Sequence, residues 1–493
     1  RRVDEADALV VRDQPHPLAL VAQPPDQRLR RRVQDLPLNG RNVLDLATLQ
    51  PGVVEANLGT TSTTGLGSGF RVHGARGVEN NITLDGSNNN EIAVGGSTGA
   101  QPRPDAVQEF RILTSNYEAE FGRNTGSVVN VVVNSGTNDY HGNLRFFYRP
   151  TFLSAARFFD NALLTQPLRK VDTCPADRAL RSRDNCDYRR VFERKEYGGN
   201  IGGPIYLPKF GEGGKSYWSG KNRAYFFFDY EKRDQLIGDT RVISNLPTPL
   251  ERQGNFSTLL PGTQLIDPAT GAPFPGNIIP PERFANNPIV NYYLGFLPVA
   301  NTGGTAVAGA NQLTNNDYLT TRVDFLATNA QSINFTFNRF DSAQFSPFAF
   351  QGSQVPGFGS FDLRRTYNAV ARHTYLITPS VVNSFLAGYA RNGQPAVFPE
   401  NLTTAREIGF TRNDFIALPV FEGPPVIRLF DRGDLRIGNT VQGPQARISE
   451  NFQLQDSVSW ATGDHRFKFG FDGTKYHSQQ NFAFINNSGI LFS

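Results

Sequence analysis

The feature that most constrains this chain is a two-residue alternation that recurs in separate blocks from Asn138 onward. In Asn143–Arg149, Leu144, Phe146 and Tyr148 share one face. In Lys221–Arg233, Ala224, Phe226, Phe228 and Tyr230 share a face, and Tyr225, Phe227 and Asp229 share the other. Asp317–Phe325 sets Leu319, Val323 and Phe325 against Arg322 and Asp324; Ser332–Arg339 sets Ile333, Phe335 and Phe337 against Asn334, Thr336 and Asn338. Asn451–Trp460 repeats the pattern, and Arg466–Asp472 opposes Phe467, Phe469 and Phe471 to Arg466, Lys468 and Asp472. Successive side chains of a strand point to opposite faces. A phenylalanine face backed by a charged or amide face therefore needs an apolar medium on one side and water on the other, as the wall of a transmembrane β-barrel has.

The connections between blocks strengthen this reading. Residues 150–193, 234–315, 342–363 and 393–445 are long, residues 328–330, 378–380 and 461–464 are tight, and 207–220 is intermediate. Short turns at one rim and long loops at the other are usual in outer-membrane barrels; a soluble β-sandwich has no reason to keep that parity. Tyr148, Tyr230, Tyr375, Tyr389 and Trp460 fall where predicted strands of about 9–14 residues would meet the membrane interface. Composition agrees: mean hydropathy is only -0.39, yet the chain carries 39 Phe and 16 Tyr, as expected if apolar side chains are confined to one face. No stretch approaches the roughly 18 apolar residues of a membrane helix, which leaves a closed barrel as the membrane-crossing form. A net charge of +4 over 493 residues gives no concentrated basic stripe, so no nucleic-acid partner is expected.

Three regions are expected. Residues 1–33 are rich in Arg, Asp, Pro and Gln without period, and read either as a disordered tail or as non-native sequence. Residues 34–137 read as a small α+β domain: one short amphipathic helix over Val43–Leu49 stopped by Pro51-Gly52, a Ser/Thr/Gly-rich loop over 59–69, and short strands at 70–74, 81–86, 106–113 and 127–133. Residues 138–493 hold about nine barrel strands up to Tyr476. The fold class expected is thus mainly β: a small α+β domain followed by an incomplete antiparallel transmembrane barrel.

Several motifs in order carry a family resemblance. Leu36–Asn42, Arg71-Val72-His73-Gly74-Ala75-Arg76, Ile82-Thr83-Leu84-Asp85-Gly86, Asp105–Phe110, Ser115–Arg123 and Gly126–Val133 resemble the plug of TonB-dependent outer-membrane receptors. Glu196–Ile205, Asn222–Glu231 and the segment from Asp267 to Pro280 resemble the first part of the barrel in the Oar-like branch, whose members usually carry a carboxypeptidase-regulatory-like domain before the plug. The resemblance covers about nine-tenths of the chain. It implies a place in the bacterial outer membrane and contact with its lipid. It also implies uptake of an unidentified ligand, such as a siderophore, glycan or peptide, powered by TonB. The segment TonB grips would lie before Gln34, and none is identified in residues 1–33. The family's barrels have 22 strands, so this chain reads as a fragment whose open edges would not insert stably alone. The alternative is an Oar-like adhesion or envelope-organising protein that uses the same barrel without import.

Candidate site residues follow. In the family, plug arginines pair with carboxylates of the barrel wall, which marks Arg41, Arg71, Arg76 and Arg123; a solvated surface role is the plain alternative. Ser87, Asn88, Asn89, Asn90 and Glu91 read as a plug loop that contacts ligand, as a polar turn, or, with Asp85, as an oxygen-rich calcium site. Cys174 and Cys186 flank a polar segment of an external loop, where an exported location permits a disulfide. The six His are scattered, no nucleophile elbow, P-loop or dinucleotide fingerprint occurs, and Asn-x-Ser/Thr triplets at 81, 255 and 401 are chance matches. No enzyme, metal or cofactor is expected.

Overall fold

The computed structural model describes residues 8–10, 38, 40–55, 69–91, 97–98, 101–115, 117–121, 124–155, 191–209, 216–284, 286–300, 304–348, 352–411, 423–429, 433–440, 445–482 and 490–492. Cys174, Cys186 and Arg123 lie outside them.

Five short strands form the sheet of an N-terminal unit: β1 (Ala8–Val10), β2 (Asn81–Leu84), β3 (Ser87–Asn88), β4 (Val107–Leu113) and β5 (Val128–Val133), in spatial order β1-β4-β5-β2-β3. The β2–β5 pair is parallel and the others antiparallel. Within residues 1–33, expected to be a disordered tail or non-native, Ala8–Val10 forms the edge strand β1, and the rest lies outside the described residues. Phe70–Val72, expected beside the others, instead pairs with Val53–Glu55 in a separate ribbon that points Phe70 and Val72 into the core and leaves Arg71 exposed. Val43–Leu49 winds as a 3₁₀-helix capped by the Asn42 side chain, and buries Val43, Leu44, Leu46 and Ala47. With Ile82, Phe110, Ile112 and Val129 these residues make one apolar core, which Phe227 of the neighbouring sheet enters.

Nine longer strands follow: β6 (His141–Arg149), β7 (Phe192–Pro204), β8 (Ala224–Ile243), β9 (Ala306–Thr328), β10 (Gln331–Ser346), β11 (Ser360–Thr378), β12 (Val381–Pro399), β13 (Gln445–Thr462) and β14 (His465–Phe482). Each pairs antiparallel with its chain neighbours in one nine-stranded sheet that does not close on itself among the described residues. Residues 329–330, 379–380 and 463–464 turn tightly at one rim, and the long connections crowd the other. The strands outrun the expected 9–14 residues: β8 has 20 and β9 has 23. Residues 234–243 and 306–315, expected in a loop, are therefore strand. There the phenylalanine alternation has ended, as in Asn311-Gln312-Leu313-Thr314-Asn315, while the backbone ladder continues.

The two faces differ as the alternation requires. Outward-pointing Phe228, Phe325, Phe335, Phe452, Phe469 and Phe471 are exposed, whereas inward-pointing Asp229, Glu231, Thr320, Asn338, Asn368 and Asn451 are buried against the N-terminal unit or their neighbours. The apolar outer band ends in a row of tyrosines whose hydroxyls donate to carboxylates on the adjacent strand: Tyr148 to Glu193 (2.7 Å), Tyr230 to Asp317 (2.5 Å) and Tyr389 to Glu450 (2.8 Å). A phenol with its ring in the band and its hydroxyl on a charged group suits an apolar–aqueous boundary. Tyr230 therefore marks the edge of the band rather than the end of its strand.

The long connections are not independent loops. Helix α1 (Pro288–Phe296), the short helix α2 (Ala405–Ile408), and Phe348, Val355, Phe358, Phe410, Leu435 and Ile437 share a second apolar core with Ile243 and Leu246. Phe358 stacks on Tyr293 and packs at a tilt against Phe296 of α1, and the Tyr293 hydroxyl donates to Pro425 O at 2.6 Å. Burial pushes that phenol well above its ordinary range. Three connections thus form one cap. Phe358→Ala should cost the cap about 3–5 kcal/mol. Hydrogen exchange should then quicken together at residues 288–296 and 405–410 while β2, β4 and β5 keep their protection; quickening confined to residues near 358 would show that the connections are independent.

Candidate functional site: the interface between the inner unit and the wall

Three polar fasteners join the N-terminal unit to the inner face of the sheet. The first is an ion cluster. Arg41, at φ 53° after Gly40, and Arg103, set between Pro102 and Pro104, reach from the N-terminal unit toward β7 and β8. Arg103 Nε lies 2.5 Å from Glu231 Oε1 and its Nη2 3.6 Å from Glu196 Oε1. Arg41 pairs with Asp105 of its own unit, and lies 3.4 Å from Glu231 and 3.9 Å from Glu196. From β6, Arg145 contacts Asp229 (2.8 Å), Glu231 (2.8 Å) and Asp105 (3.4 Å). The Glu231 side chain is 0% exposed and so gathers three guanidiniums away from solvent. The strand period places it there: Phe227, Asp229 and Glu231 are successive inward positions of β8, and all three are buried.

The second fastener is the turn between β2 and β3. Asp85 (φ 48°) and Gly86 (φ 81°) form a two-residue hairpin loop with both residues left-handed, the conformation Asp-Gly favours. Arg372 of β11 donates to Asp85 O at 2.7 Å, and a Cβ on Gly86 would collide with the Arg372 guanidinium. Arg322 of β9 donates to Val133 O (3.0 Å), pairs with Asp324 (2.9 Å) and lies 3.5 Å from Asp85.

The third is residues 87–91, expected as ligand contacts. Their polar groups turn to the wall. Asn88 N donates to Gln453 Oε1 (2.9 Å), Asn451 Nδ2 to Asn90 O (3.0 Å) and Ser449 Oγ to Glu91 Oε1 (2.6 Å). Asn89 is 3.5 Å from Asn368, and Ser87 packs on Gly388 so closely that a Cβ added there would collide with the Ser87 Oγ. Among the described residues no His/Cys/Asp/Glu group is arranged to hold a metal.

Of the three described arginines marked by sequence, Arg41 is the one placed in a contact with the wall. Arg76 pairs with Glu79 at 2.8 Å within its own unit, because the 3₁₀-turn Gly77–Glu79 folds that carboxylate back onto it. Arg71 is exposed on its ribbon and Arg123 lies outside the described residues. Arg103, Arg145, Glu196, Asp229, Glu231, Arg322 and Arg372 were not singled out. Asp229-Tyr230-Glu231 carried a signal: two carboxylates on the face opposite Phe228 and Tyr230 need cationic partners.

A nine-stranded wall, greasy outside and polar within, that holds an α+β unit by ion pairs on its inner face defines an outer-membrane barrel protein with an inner domain. The outer membrane β-barrel domain family matches residues 132–493, and the chain belongs to it; its place is the bacterial outer membrane. Over 118 residues, 24% of this chain and 10% of the relative, it is 34% identical to the TonB-dependent transporter Oar of Myxococcus xanthus. Among solved structures it resembles the outer membrane transporter YddB from Escherichia coli, with TM-score 0.52 and 12% identity, covering 91% of this chain and 48% of that one. A mutant of the ferric enterobactin receptor PfeA from Pseudomonas aeruginosa aligns over 89% of this chain and 47% of its own, with 11% identity and TM-score 0.44. The chain therefore spans about half the length of such receptors.

Removing one partner of a buried ion pair strands the other charge. Glu231→Gln should loosen the inner unit by about 3–5 kcal/mol, read as faster proteolysis within residues 40–135 of the natural gene product in detergent. The double variant Arg103→Gln/Glu231→Gln should recover part of the loss; an unchanged cleavage rate in the single variant would show that the cluster does not hold the unit in place.

Proposed function

We propose that the chain is the plug and the first part of the barrel of a TonB-dependent receptor of the Oar-like branch, importing a ligand across the outer membrane. The observation that carries this reading is the chemistry of the interface between plug and wall. Apart from Phe227 and the wall rings of Phe147 and Tyr318 beneath Arg41 and Arg103, the contacts among the described residues are mainly hydrogen bonds and ion pairs between groups that water can also satisfy. A polar, hydratable interface can part and re-form. In this reading the long connections face outward and admit the ligand, and TonB draws on the N-terminal side of the plug. The ligand is a siderophore, glycan or peptide whose identity the outward connections set. Residues 87–91 then act as a latch against β12 and β13, and Arg41 and Arg103 as a second latch against β7 and β8. The enclosing barrel needs no catalytic group.

The test is to close the first latch covalently. Ser87 and Gly388 stand with Cβ positions about 3.1 Å apart, near disulfide range. Ser87→Cys/Gly388→Cys in the natural gene product should abolish ligand uptake by whole cells when oxidised and restore it on reduction, while surface binding persists. Uptake that continues with the bridge formed would overturn a moving plug.

A further inference from the structure

Three connections at the tight-turn rim are two residues long, at 329–330, 379–380 and 463–464. The connection between β7 and β8 at that rim instead carries a ribbon in which Tyr206–Pro208 pairs with Tyr217–Ser219. Aromatic rings gather there on the outward face. The Tyr140 ring covers Gly203, where an added Cβ would collide with it, and its hydroxyl donates to Pro204 O at 3.0 Å. Gly203 stands opposite Phe226 in the register, on the same face as Ile201 and Phe228. Between ring centroids Tyr140 lies 6.3 Å from Tyr206 and 6.2 Å from Phe226, and Tyr206 meets Tyr217 edge-on at 5.5 Å. Tyr140, Tyr206, Leu207 and Tyr217 are nonetheless exposed. From this cluster a groove runs along the outward face of β6–β8 between Leu144, Tyr197, Ile201 and Phe228 toward Tyr230.

The chain around the cluster is basic. Residues 205–223 hold Lys209, Lys215, Lys221 and Arg223 against Glu212, and Asp139 beside Tyr140 adds one more carboxylate. The balance stays positive with every acid counted as paired. Lys209, Lys221 and Arg223 are exposed. Amphipathic rings collect at the boundary of a bilayer, and Lys and Arg beside that boundary attract anionic head groups. A lipid meets both features at once. A water-soluble protein could reach these rings only by entering the membrane boundary, because they are continuous with the face that meets hydrocarbon.

We propose that the ribbon and the Tyr140 cluster dock an anionic phospholipid of the leaflet at the tight-turn rim. Its phosphate lies among Lys209, Lys221 and Arg223, and an acyl chain lies along the groove past Leu144, Ile201 and Phe228. The site needs the outer-membrane place of the chain and is independent of import.

Native mass spectrometry of the natural gene product in detergent, titrated with phosphatidylglycerol in one arm and phosphatidylcholine in the other, tests the site. Phosphatidylglycerol should bind saturably and more tightly, and its advantage should shrink as salt rises. Lys209→Gln/Lys221→Gln should weaken its tightest binding about tenfold or more and leave phosphatidylcholine unchanged. Tyr206→Ala should weaken both lipids by a few fold, and Arg339→Gln at the other rim neither. Soluble glycerol phosphate should not displace the bound lipid; displacement at equal concentration would mean that the phosphate alone is recognised and would overturn the docking of a lipid. Circular dichroism melting checks folding, and the exposed lysines keep the test decisive if Tyr206→Ala is not folded. Equal binding of the two lipids, or phosphatidylglycerol binding that the folded lysine variant leaves unchanged, would show that the ribbon faces water or another protein and would sink the proposal.

Discussion

Everything in this molecule depends on a sheet having to satisfy its backbone in a medium that offers no hydrogen bonds. A strand in hydrocarbon must pair on both edges, and each side chain must fall to hydrocarbon or to the inside. In the nine-strand meander from His141 to Phe482 the seven strands between β6 and β14 meet the first demand, and the alternation of Phe228 with Asp229 and of Phe452 with Asn451 meets the second. Once the outer face is committed to phenylalanine, the inner face must be polar, because a sheet greasy on both sides would have no reason to stand upright in the band. A polar inner face then dictates what can be packed against it.

The inner unit answers with charge. Its own core is apolar, but toward the wall it offers Arg41, Arg103, the Asp85 turn and the Ser87–Glu91 segment. Desolvating so many charges offsets much of their mutual attraction, so the cluster contributes more to position than to net stability. Glu231, meeting three arginines from two separate units, fixes where the inner unit sits along β8. A shift of one residue would turn Glu231 outward and Tyr230 inward. The same arrangement keeps the interface separable, since each partner can be solvated again when the surfaces part.

Much of the wall was legible because its signal is repeated: Phe467, Phe469 and Phe471 name the outer face of β14 without help from tertiary contacts. Strand ends were not legible, because beyond Tyr230 and Asp317 both faces are wet and polarity no longer distinguishes ladder from loop. The cap was hidden for another reason. Phe358, Tyr293 and Leu435 are far apart in sequence and show no common period; only folding brings them together. Within the ion cluster Arg41 was readable from its motif, but Arg71 and Arg76 were not separable from it, since motif membership does not reveal which side chains point outward. The inward pair Asp229 and Glu231 was written in the alternation itself. The Ser87–Glu91 segment left a polar turn, an oxygen-rich site and a ligand contact all open, and the partners that Gly388 and Gln453 offer it from the wall lie too far along the chain to be read locally.

The cap and the latches differ in what it costs to open them, and that difference decides which part can move. Separating the cap exposes Phe358, Tyr293, Leu435 and their neighbours, at roughly 1.5–3 kcal/mol for each large side chain. Parting the inner unit from the wall mainly exchanges protein partners for water around groups already polar, with Phe227 and the rings of Phe147 and Tyr318 the apolar exceptions. A force applied along the chain therefore does its work at the inner unit before it disturbs the cap.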